Sequence, residues 1–481
     1  MNENADGNRK IESCGTMNAE MFCAAGHAMV DWIADYLENA ERYPVLAQIE
    51  PGEVRASLAN EIPEQGETWN RIWKDFEKQI MPGVTHWQSP NFFGYFPANV
   101  SYPSILGEFL SAGLGVNGML WSTSPAATEL ETHVLDLLVD AMGLPSFFKG
   151  AGVIQDTASS ASLCAILCGR EQALEWNGNE SGLSGESATA VYVSDQAHSS
   201  IEKGAKIAGI GREYVRVIES DEVCAMNAEM LEQVIREDTA KGILPAIVNA
   251  TLGTTSSLAV DPLRAIGEVC RRYGVWFHVD GAMAGSALIC PEYQALADGL
   301  EFADSYCFNP HKWLLTNFDC DVMYVRRPER LVRTLSIMPE YLRAKQADDV
   351  INYRDWHVPL GRRFRALKLW FVLRSFGLNG LRSHIREHVR LAELFAKLVR
   401  ADGRFELISC RLNLVCFRVK GDDAMNDNLL QRINDAGRIF ITHTKIGGRY
   451  VLRFCPAQMN TQERHVRSAW EEILRHVSDQ V

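Results

Sequence analysis

Near the start of the chain, apolar residues recur every three or four positions. In residues 21–40, five of them fall near one face of a helix: Met21, Ala25, Met29, Trp32 and Ile33. Residues 63–80 have a similar spacing and open with Pro63, a residue typical of a helix start. The pattern predicts a helical N-terminal segment over residues 17–100, and the polar residues 1–16 before it are expected to form a flexible tail.

Further along, short apolar runs rich in β-branched residues alternate with helical patterns. The runs are AVYVS, PAIVNATLGTT, GVWFHVDGA and CDVMYVR. Such alternation is typical of parallel strands joined by crossover helices. We therefore predict an α/β fold for residues 101–369, with a mostly parallel central sheet and helices on both faces. The mixed pattern that ends in HVRSAWEEILRHV indicates a small α+β domain over residues 370–481.

Composition narrows the class of protein. The formal net charge of −13 argues against a nucleic-acid binder, since phosphate binding requires a basic surface. The 12 cysteines include no C-x-x-C pair, so neither a metal site nor a disulfide framework is indicated. The longest apolar stretch is interrupted by Glu108 and several glycines, so no membrane span is expected. We expect a cytoplasmic protein that acts on a small molecule, without nucleic-acid or membrane partners.

Candidate chemistry gathers where strands end, because ligands of α/β sheets bind at the carboxyl ends of the strands. Asp280 directly follows an apolar strand, and Lys312 lies in the string FNPHKWLLTNFDC. A buried lysine either pairs with a carboxylate or has a lowered pKa that makes its neutral amine a nucleophile. An ordinary ion pair between Asp280 and Lys312 is the alternative to catalysis.

Two further strings carry polar residues at strand ends. DTASSASLCAIL places Thr157, Ser159 and Ser160 at the start of an apolar helix, where free N–H groups attract an anion; ordinary N-capping is the alternative. YVSDQAHSS places His198 just after a strand, where a histidine without a catalytic role is also common. A lysine, an acid, a ring to stack on a ring and a phosphate-binding helix are together the parts that a pyridoxal phosphate enzyme requires.

Seven strings carry a resemblance to a known family: HWQSPNFFGYFPANVSYPSILGEFL, SPAATELE, GVIQDTAS, SDQAHSS, HVDGAMAGSALICPE, NPHKWLLTNFDC and PLGRRFRALKLWFVLR. In order and spacing they resemble the aromatic-L-amino-acid decarboxylases, which are group II pyridoxal-phosphate-dependent decarboxylases. The resemblance implies the fold type I architecture, pyridoxal 5'-phosphate as cofactor and a homodimer with shared active sites. It also implies decarboxylation of tryptophan, 5-hydroxytryptophan, DOPA, tyrosine or phenylalanine to the arylalkylamine and CO₂.

The same resemblance implies roles for individual residues. Lys312 would form the Schiff base with the cofactor, Asp280 would pair with its pyridine nitrogen, and His198 and Ala282 would lie against the two faces of its ring. Tyr341 matches the tyrosine of a mobile loop that protonates the product. The remaining cofactor contacts would be Thr157, Ala158, Ser159 and Asn309 at the phosphate, Thr255 and Asp261 on the ring side, and His311 beside the lysine.

The resemblance also implies a substrate pocket, formed by Trp87, Tyr95, Phe96, Pro97, Ala98, Asn117, Met119 and Gly361. Ala98, Asn117 and Met119 depart from the animal enzymes, which carry threonine, isoleucine and phenylalanine there. Gly361 leaves room for a large ring such as indole. Two alternatives remain: an aromatic aldehyde synthase, against which Tyr341 argues, and a catalytically silent decarboxylase-like binding protein, against which the retained catalytic set argues.

Overall fold

A seven-stranded sheet forms the centre of the computed structural model, which describes residues 17–337 and 350–477. The helices are α1 Ala19–Glu38, α2 Glu53–Ser57, α3 Trp69–Asp75, α4 Tyr102–Leu114, α5 Pro125–Met142, α6 Ala158–Ala173, α7 Asn177–Ser181, α8 Ser200–Ile207, α9 Ala228–Ala240, α10 Leu263–Tyr273, α11 Pro310–Trp313, α12 Pro328–Leu335, α13 Arg365–Ala401, α14 Asp423–Asp435 and α15 Glu463–Val477. The strands are β1 Gly152–Gln155, β2 Thr189–Ser194, β3 Val215–Ile218, β4 Leu244–Thr251, β5 Trp276–Asp280, β6 Ser305–Phe308, β7 Asp321–Val325, β8 Phe405–Arg411, β9 Leu414–Val419, β10 Thr442–Ile446 and β11 Arg449–Phe454.

The central sheet has the strand order β1-β7-β6-β5-β4-β2-β3. Strands β2 to β6 pair in parallel, while β7 pairs antiparallel with both β6 and β1. Side chains alternate between two apolar cores: Val153 and Met323 pack with α6, and Ile154 and Val322 pack with α5. The predicted α/β fold with a mostly parallel sheet and helices on both faces is confirmed.

The C-terminal part holds a second, antiparallel sheet of order β10-β11-β9-β8, which packs with α14 and α15 around an aromatic core. Helix α13 leads into it and changes direction at Gly377, whose φ of 57° places it in the left-handed region. Because α13 spans residues 365–401, it crosses the predicted boundary at residue 370. The domain boundaries themselves stay predictions.

One expected helix start is wrong. Helix α1 forms where the apolar spacing predicts it, but the helix expected to start at Pro63 is α3, which begins at Trp69. The polar residues after Pro63 are exposed, and Ile62 before it is 93% exposed, so a helix there would bury nothing. The helix that starts at Trp69 has a surface to pack on, because the ring of Trp73 in its next turn packs edge-on against the Trp32 ring at a centroid distance of 5.6 Å.

No helix within the described ranges is long and apolar enough to cross a membrane. The same ranges contain no group of three or more His, Cys, Asp or Glu side chains that could hold a metal ion.

Candidate active site

Lys312 lies in the short helix α11, in the connection between β6 and the antiparallel strand β7. Asn99 fixes its backbone, because Asn99 Nδ2 donates to the Lys312 carbonyl at 2.7 Å. Desolvation lowers the pKa of the Lys312 amine, and the carboxylates of Asp280 and Asp321 oppose that shift. Among the described residues, Nζ forms no ion pair within 4.0 Å. The side chain is therefore not held as an ammonium in a tight pair.

Asp280 ends β5 and is 5% exposed. Its Oδ1 accepts a hydrogen bond from the Ala282 backbone N–H at 2.9 Å, which fixes the turn after the strand. In the register of the sheet Asp280 lies beside Cys307 on β6, the strand that leads to Lys312. The sequence therefore brings Asp280 and Lys312 to the same edge of the sheet without joining them directly.

His198 follows β2 and keeps an exposed ring. Its Nδ1 accepts from the Ser200 backbone N–H at 3.2 Å and lies 2.9 Å from the Ser200 hydroxyl, so the proton of the neutral ring is on Nε2. Desolvation lowers the pKa of His198, the Asp280 charge raises it and Lys312 lowers it. These shifts place His198 in the same electrostatic site as Asp280 and Lys312.

The start of helix α6 supplies an anion-binding end. Thr157 is its N-cap residue, but the Thr157 side chain makes no capping bond; instead Asp156 Oδ1 accepts from the Thr157 N–H at 2.7 Å. The alternative of ordinary N-capping by Thr157 is therefore wrong. Asn309 is 2% exposed, and its Oδ1 has no hydrogen-bond partner among the described residues. A buried amide oxygen without a described partner, at the same edge of the sheet as a free helix end, fits a site that a polar cofactor completes.

Asp261 and Thr255, the residues expected on the ring side of the cofactor, form hydrogen bonds that involve backbone groups. Asp261 is 2% exposed, and its two oxygens accept from the N–H groups of Met226 at 2.8 Å and Thr251 at 2.7 Å. Burial raises the pKa of Asp261 to about 6. Thr255 contributes its carbonyl, which accepts from the Arg453 guanidinium at 2.8 Å. Both residues thus brace the loop that follows β4.

His311 is buried next to Lys312. Its Nδ1 accepts from the Cys320 backbone N–H at 3.0 Å, and its ring lies 4.6 Å from the Phe318 ring. Burial lowers the pKa of His311 to about 3, so the ring is neutral near pH 7. Ala282 precedes the same region, and its carbonyl accepts from the Asn309 N–H at 3.1 Å.

The predicted pocket residues fall into two groups. In the first, Trp87 stacks on Tyr95 at 5.7 Å, and the Phe96 ring lies 5.7 Å from Lys312 Nζ. Pro97 follows Phe96, and the Ala98 carbonyl accepts from a neighbouring glutamine. Phe96 therefore brings the first group to the side of the lysine.

The second group is held by two arginine backbones. Asn117 Oδ1 accepts from the Arg362 N–H at 2.9 Å, and the Met119 carbonyl accepts from the Arg354 N–H at 3.0 Å. A Cβ on Gly361 would lie 3.8 Å from Asn117 Nδ2. Within residues 17–337 and 350–477, no hydrogen bond, ion pair or ring contact joins this group to the first. Tyr341 lies outside the described residues.

The sequence patterns did not identify two charged residues that lie at this edge of the sheet. Arg453 on β11 is 4% exposed and forms no ion pair within 4.0 Å in the described part of the chain; its guanidinium lies 5.3 Å from the Phe96 ring. Asp321 begins β7, is fully buried, and neither oxygen has a hydrogen-bond partner among the described residues. The signal for both is a charge inside an apolar strand pattern, VLRF and CDVMYV.

Comparisons with known proteins agree with this geometry. The pyridoxal-dependent decarboxylase conserved domain matches residues 51–420. Tryptophan decarboxylase 2 of Oryza sativa subsp. japonica is 44% identical over 97% of this chain and 96% of its own length. Phenylacetaldehyde synthase of Arabidopsis thaliana is 45% identical over 96% of this chain and 97% of its own length.

Solved structures give the same result. The structure of Oryza sativa TDC with PLP and tryptamine superposes with a TM-score of 0.93 at 38% identity, and the match covers 96% of this chain and 99% of that one. The orphaned polar atoms at the strand ends fit that cofactor, so the prediction of pyridoxal phosphate is confirmed. The chain belongs to the pyridoxal-dependent decarboxylase family.

Proposed function

We propose that this protein removes the carboxyl group of an aromatic L-amino acid and releases the arylalkylamine and CO₂. The observation that carries the proposal is Lys312, whose amine has a lowered pKa and no ion pair within 4.0 Å among the described residues, at the sheet edge that also holds Asp280 and His198. When bound, pyridoxal phosphate supplies an aldehyde that condenses with amines and a protonated ring that accepts the electrons left by CO₂.

Different residues of this chain would contact different parts of the cofactor. Lys312 would offer the amine, and Asp280 would keep a proton on the ring nitrogen. His198 and Ala282 would hold the cofactor ring between them. The free start of α6 would hold the phosphate through Thr157, Ala158 and Ser159, and Asn309 would complete this set. Thr255, Asp261 and His311 would position the ring side, and Tyr341 would donate the proton that replaces CO₂.

The aromatic side chain of the substrate lies against the first pocket group. Phe96 lies beside Lys312, and Trp87 and Tyr95 extend the same apolar wall. Arg453 meets the substrate carboxylate, because it is a buried cation without an anionic partner in the described ranges. Such a cation orients the carboxylate before it leaves.

The second pocket group sets the size of the accepted ring. Of the described residues, Asn117 alone comes within 4 Å of the position of a Cβ on Gly361, through its Nδ2, so no described apolar side chain fills the space. Asn117 Oδ1 accepts from Arg362, and no described residue accepts from the Asn117 amide N–H groups, so these groups would face a substrate. A wide, polar edge suits indole at least as well as a catechol.

A second copy of the chain covers the apolar face of α1 and α4. Phe22 of α1 stacks on Phe109 of α4 at a centroid distance of 6.4 Å, yet both rings are about half exposed, at 53% and 49%. Other apolar side chains on these helices are similarly exposed: Met21, Val30, Leu106, Leu110 and Leu114. A contiguous exposed apolar face marks an association site. We infer a homodimer in which Asn117 and Met119, which follow α4, complete the partner's site.

The described cysteines are all free thiols, and most are buried. Free thiols are typical of a reducing compartment, so we place the protein in the cytoplasm. Fractionation of cells that express the full chain tests this placement.

The decisive experiment is a product assay with the cofactor-loaded protein. Tryptophan, 5-hydroxytryptophan, DOPA, tyrosine and phenylalanine are supplied separately, with histidine and glutamate as controls, and CO₂ and amine are measured. We expect equal amounts of CO₂ and amine from at least one aromatic substrate and none from the controls. Lys312→Ala is the matched inactive variant. Absence of CO₂ from all five aromatic substrates would contradict the proposal.

An aldehyde synthase is the second candidate, because one relative at 45% identity carries that activity in its name. Such an enzyme consumes O₂ and yields aldehyde, ammonia and hydrogen peroxide in place of amine. The Tyr341 phenol in this sequence favours the amine. Measuring peroxide in the same reactions separates the two activities, since a decarboxylase yields none.

A further inference from the structure

The strand that leads to Lys312 is flanked by two carboxyl groups, one on each neighbouring strand. Asp280 ends β5 and Asp321 begins β7, while β6 between them leads to Lys312. Because β7 runs antiparallel to β6, its first residue lies at the same edge of the sheet as the last residue of β5. Neighbouring strands are about 4.8 Å apart, so the lysine emerges between two acids.

Both carboxyl groups point to the same face of the sheet. On β5, Asp280 alternates with Val279, which belongs to the core on the opposite face. On β7, Asp321 shares its face with Met323 and Val325, which pack with α6. The two acids and Lys312 interact electrostatically.

Asp321 has no other use that the structure shows. It is fully buried, both oxygens lack a hydrogen-bond partner, and no cation lies within 4.0 Å among the described residues. A buried carboxyl group in that position is costly as an anion unless a cation comes close. Asp280 is assigned to the ring nitrogen of the cofactor, so a second buried positive charge would need a counter-charge of its own.

We propose that Asp321 is a positioning residue that keeps the proton on the Lys312 nitrogen once this nitrogen is joined to the cofactor. The inference rests on the proposed function and deepens it. A protonated nitrogen makes the attached carbon more open to attack by the substrate amine, so Asp321 would favour the exchange of Lys312 for substrate.

Asp321 ionises when Lys312 carries a positive charge beside it. Burial and the Asp280 charge raise the pKa of Asp321 well above its usual range, and the Lys312 charge lowers it. The titratable groups that interact with Asp321 from the surrounding elements are Asp280, Lys312, Asp156, the Tyr306 phenol, and the thiols of Cys164, Cys307 and Cys320. The phenol stays neutral because burial raises the pKa of Tyr306 well above its usual range. The thiols stay neutral because burial raises the pKa of each above its usual range. Lys312 is therefore the one cation in this set of groups.

The test is a pH titration of the visible absorbance of the cofactor-bound protein without substrate. Asp321→Asn removes the negative charge at nearly constant volume. The midpoint of the absorbance titration, which reports the proton on the Lys312 nitrogen, should fall by about one pH unit, a tenfold loss of proton affinity. Asp304→Asn is the control: Asp304 lies at the opposite end of β6, where it pairs with Arg327, and its midpoint should match that of the wild type.

The possible results distinguish failure of the proposed decarboxylase function from failure of the proposed role of Asp321. A wild-type protein without a visible band would refute the function. A band whose midpoint is unchanged in Asp321→Asn would overturn only the role of Asp321. If the Asn variant does not fold, Asp321→Ser takes its place. Failure of both variants to fold, or a folded variant that retains no cofactor, would show a structural role and overturn the proposal.

Discussion

The apolar face of α1 and α4 allows a quantitative prediction about assembly. Phe109 is 49% exposed, and a phenylalanine buries about 200 Å² when fully covered, so a partner would remove about 100 Å² of it from water. At about 25 cal/mol per Å² this burial stabilises the dimer by about 2.5 kcal/mol per copy. A two-fold dimer contains the residue twice. Phe109→Asp should therefore weaken association by about 5 kcal/mol, a factor of about 10³ to 10⁴ in Kd.

Sedimentation velocity over a range of protein concentrations measures that change. The control is Ile207→Asp, because Ile207 is 63% exposed at the end of α8 and away from this face. We expect a dimer for the wild type and the control, and mostly monomer for Phe109→Asp. Activity should fall in parallel, since Asn117 and Met119 would no longer reach the neighbouring site. A Phe109→Asp protein that stays dimeric at the wild-type Kd would refute the assignment of this face.

The remaining predictions concern chemistry and stability. Lys312→Ala should abolish both turnover and the visible band while the circular dichroism spectrum stays unchanged. Tyr341→Phe should still release CO₂, but it should yield aldehyde and hydrogen peroxide in place of part of the amine; equal CO₂ and amine without peroxide would show that Tyr341 is not the proton donor. Gly361→Ser should lower kcat/KM for tryptophan relative to DOPA by about 10-fold or more, measured in one competition assay. His278 is fully buried, and burial lowers its pKa from 6.5 to about 4. Between pH 6.5 and about 4, His278 must therefore gain a proton on unfolding, and the free energy of unfolding should fall by about 3 kcal/mol as the pH drops through this range. In His278→Asn, the free energy of unfolding measured by denaturant titration should depend less on pH over the same range.

Residues within continuous motifs could be placed from the sequence. Asp280 and Lys312 were expected at strand ends, and they lie at one edge of the sheet. Their strands carry strong apolar patterns, so local preference and tertiary packing agree there. The start of the helix predicted at Pro63 was wrong because a start signal does not show whether the following turn has a surface to pack on.

Residues placed by distant segments could not be predicted in this way. Arg453 comes from the second sheet and reaches the site by donating to the carbonyls of Thr255 and Ser256. Nothing in the local string VLRF shows where the strand will lie. The contribution of a partner subunit is equally invisible to local patterns, because an exposed apolar face on α4 has the same spacing as a buried one.

The direction of β7 determines which residue accompanies the lysine. A parallel β7 would start at the far edge of the sheet, and its first residue would lie away from the site. The connection between β6 and β7 holds only residues 309–320, and this segment includes α11. A crossover to a parallel strand usually runs through a helix that spans the sheet, and the 4-residue α11 is too short for that. The short connection favours the antiparallel pairing that is found, and with it Asp321 arrives beside Lys312. The same twelve residues thus present the lysine and bring in the carboxyl group proposed to hold its proton.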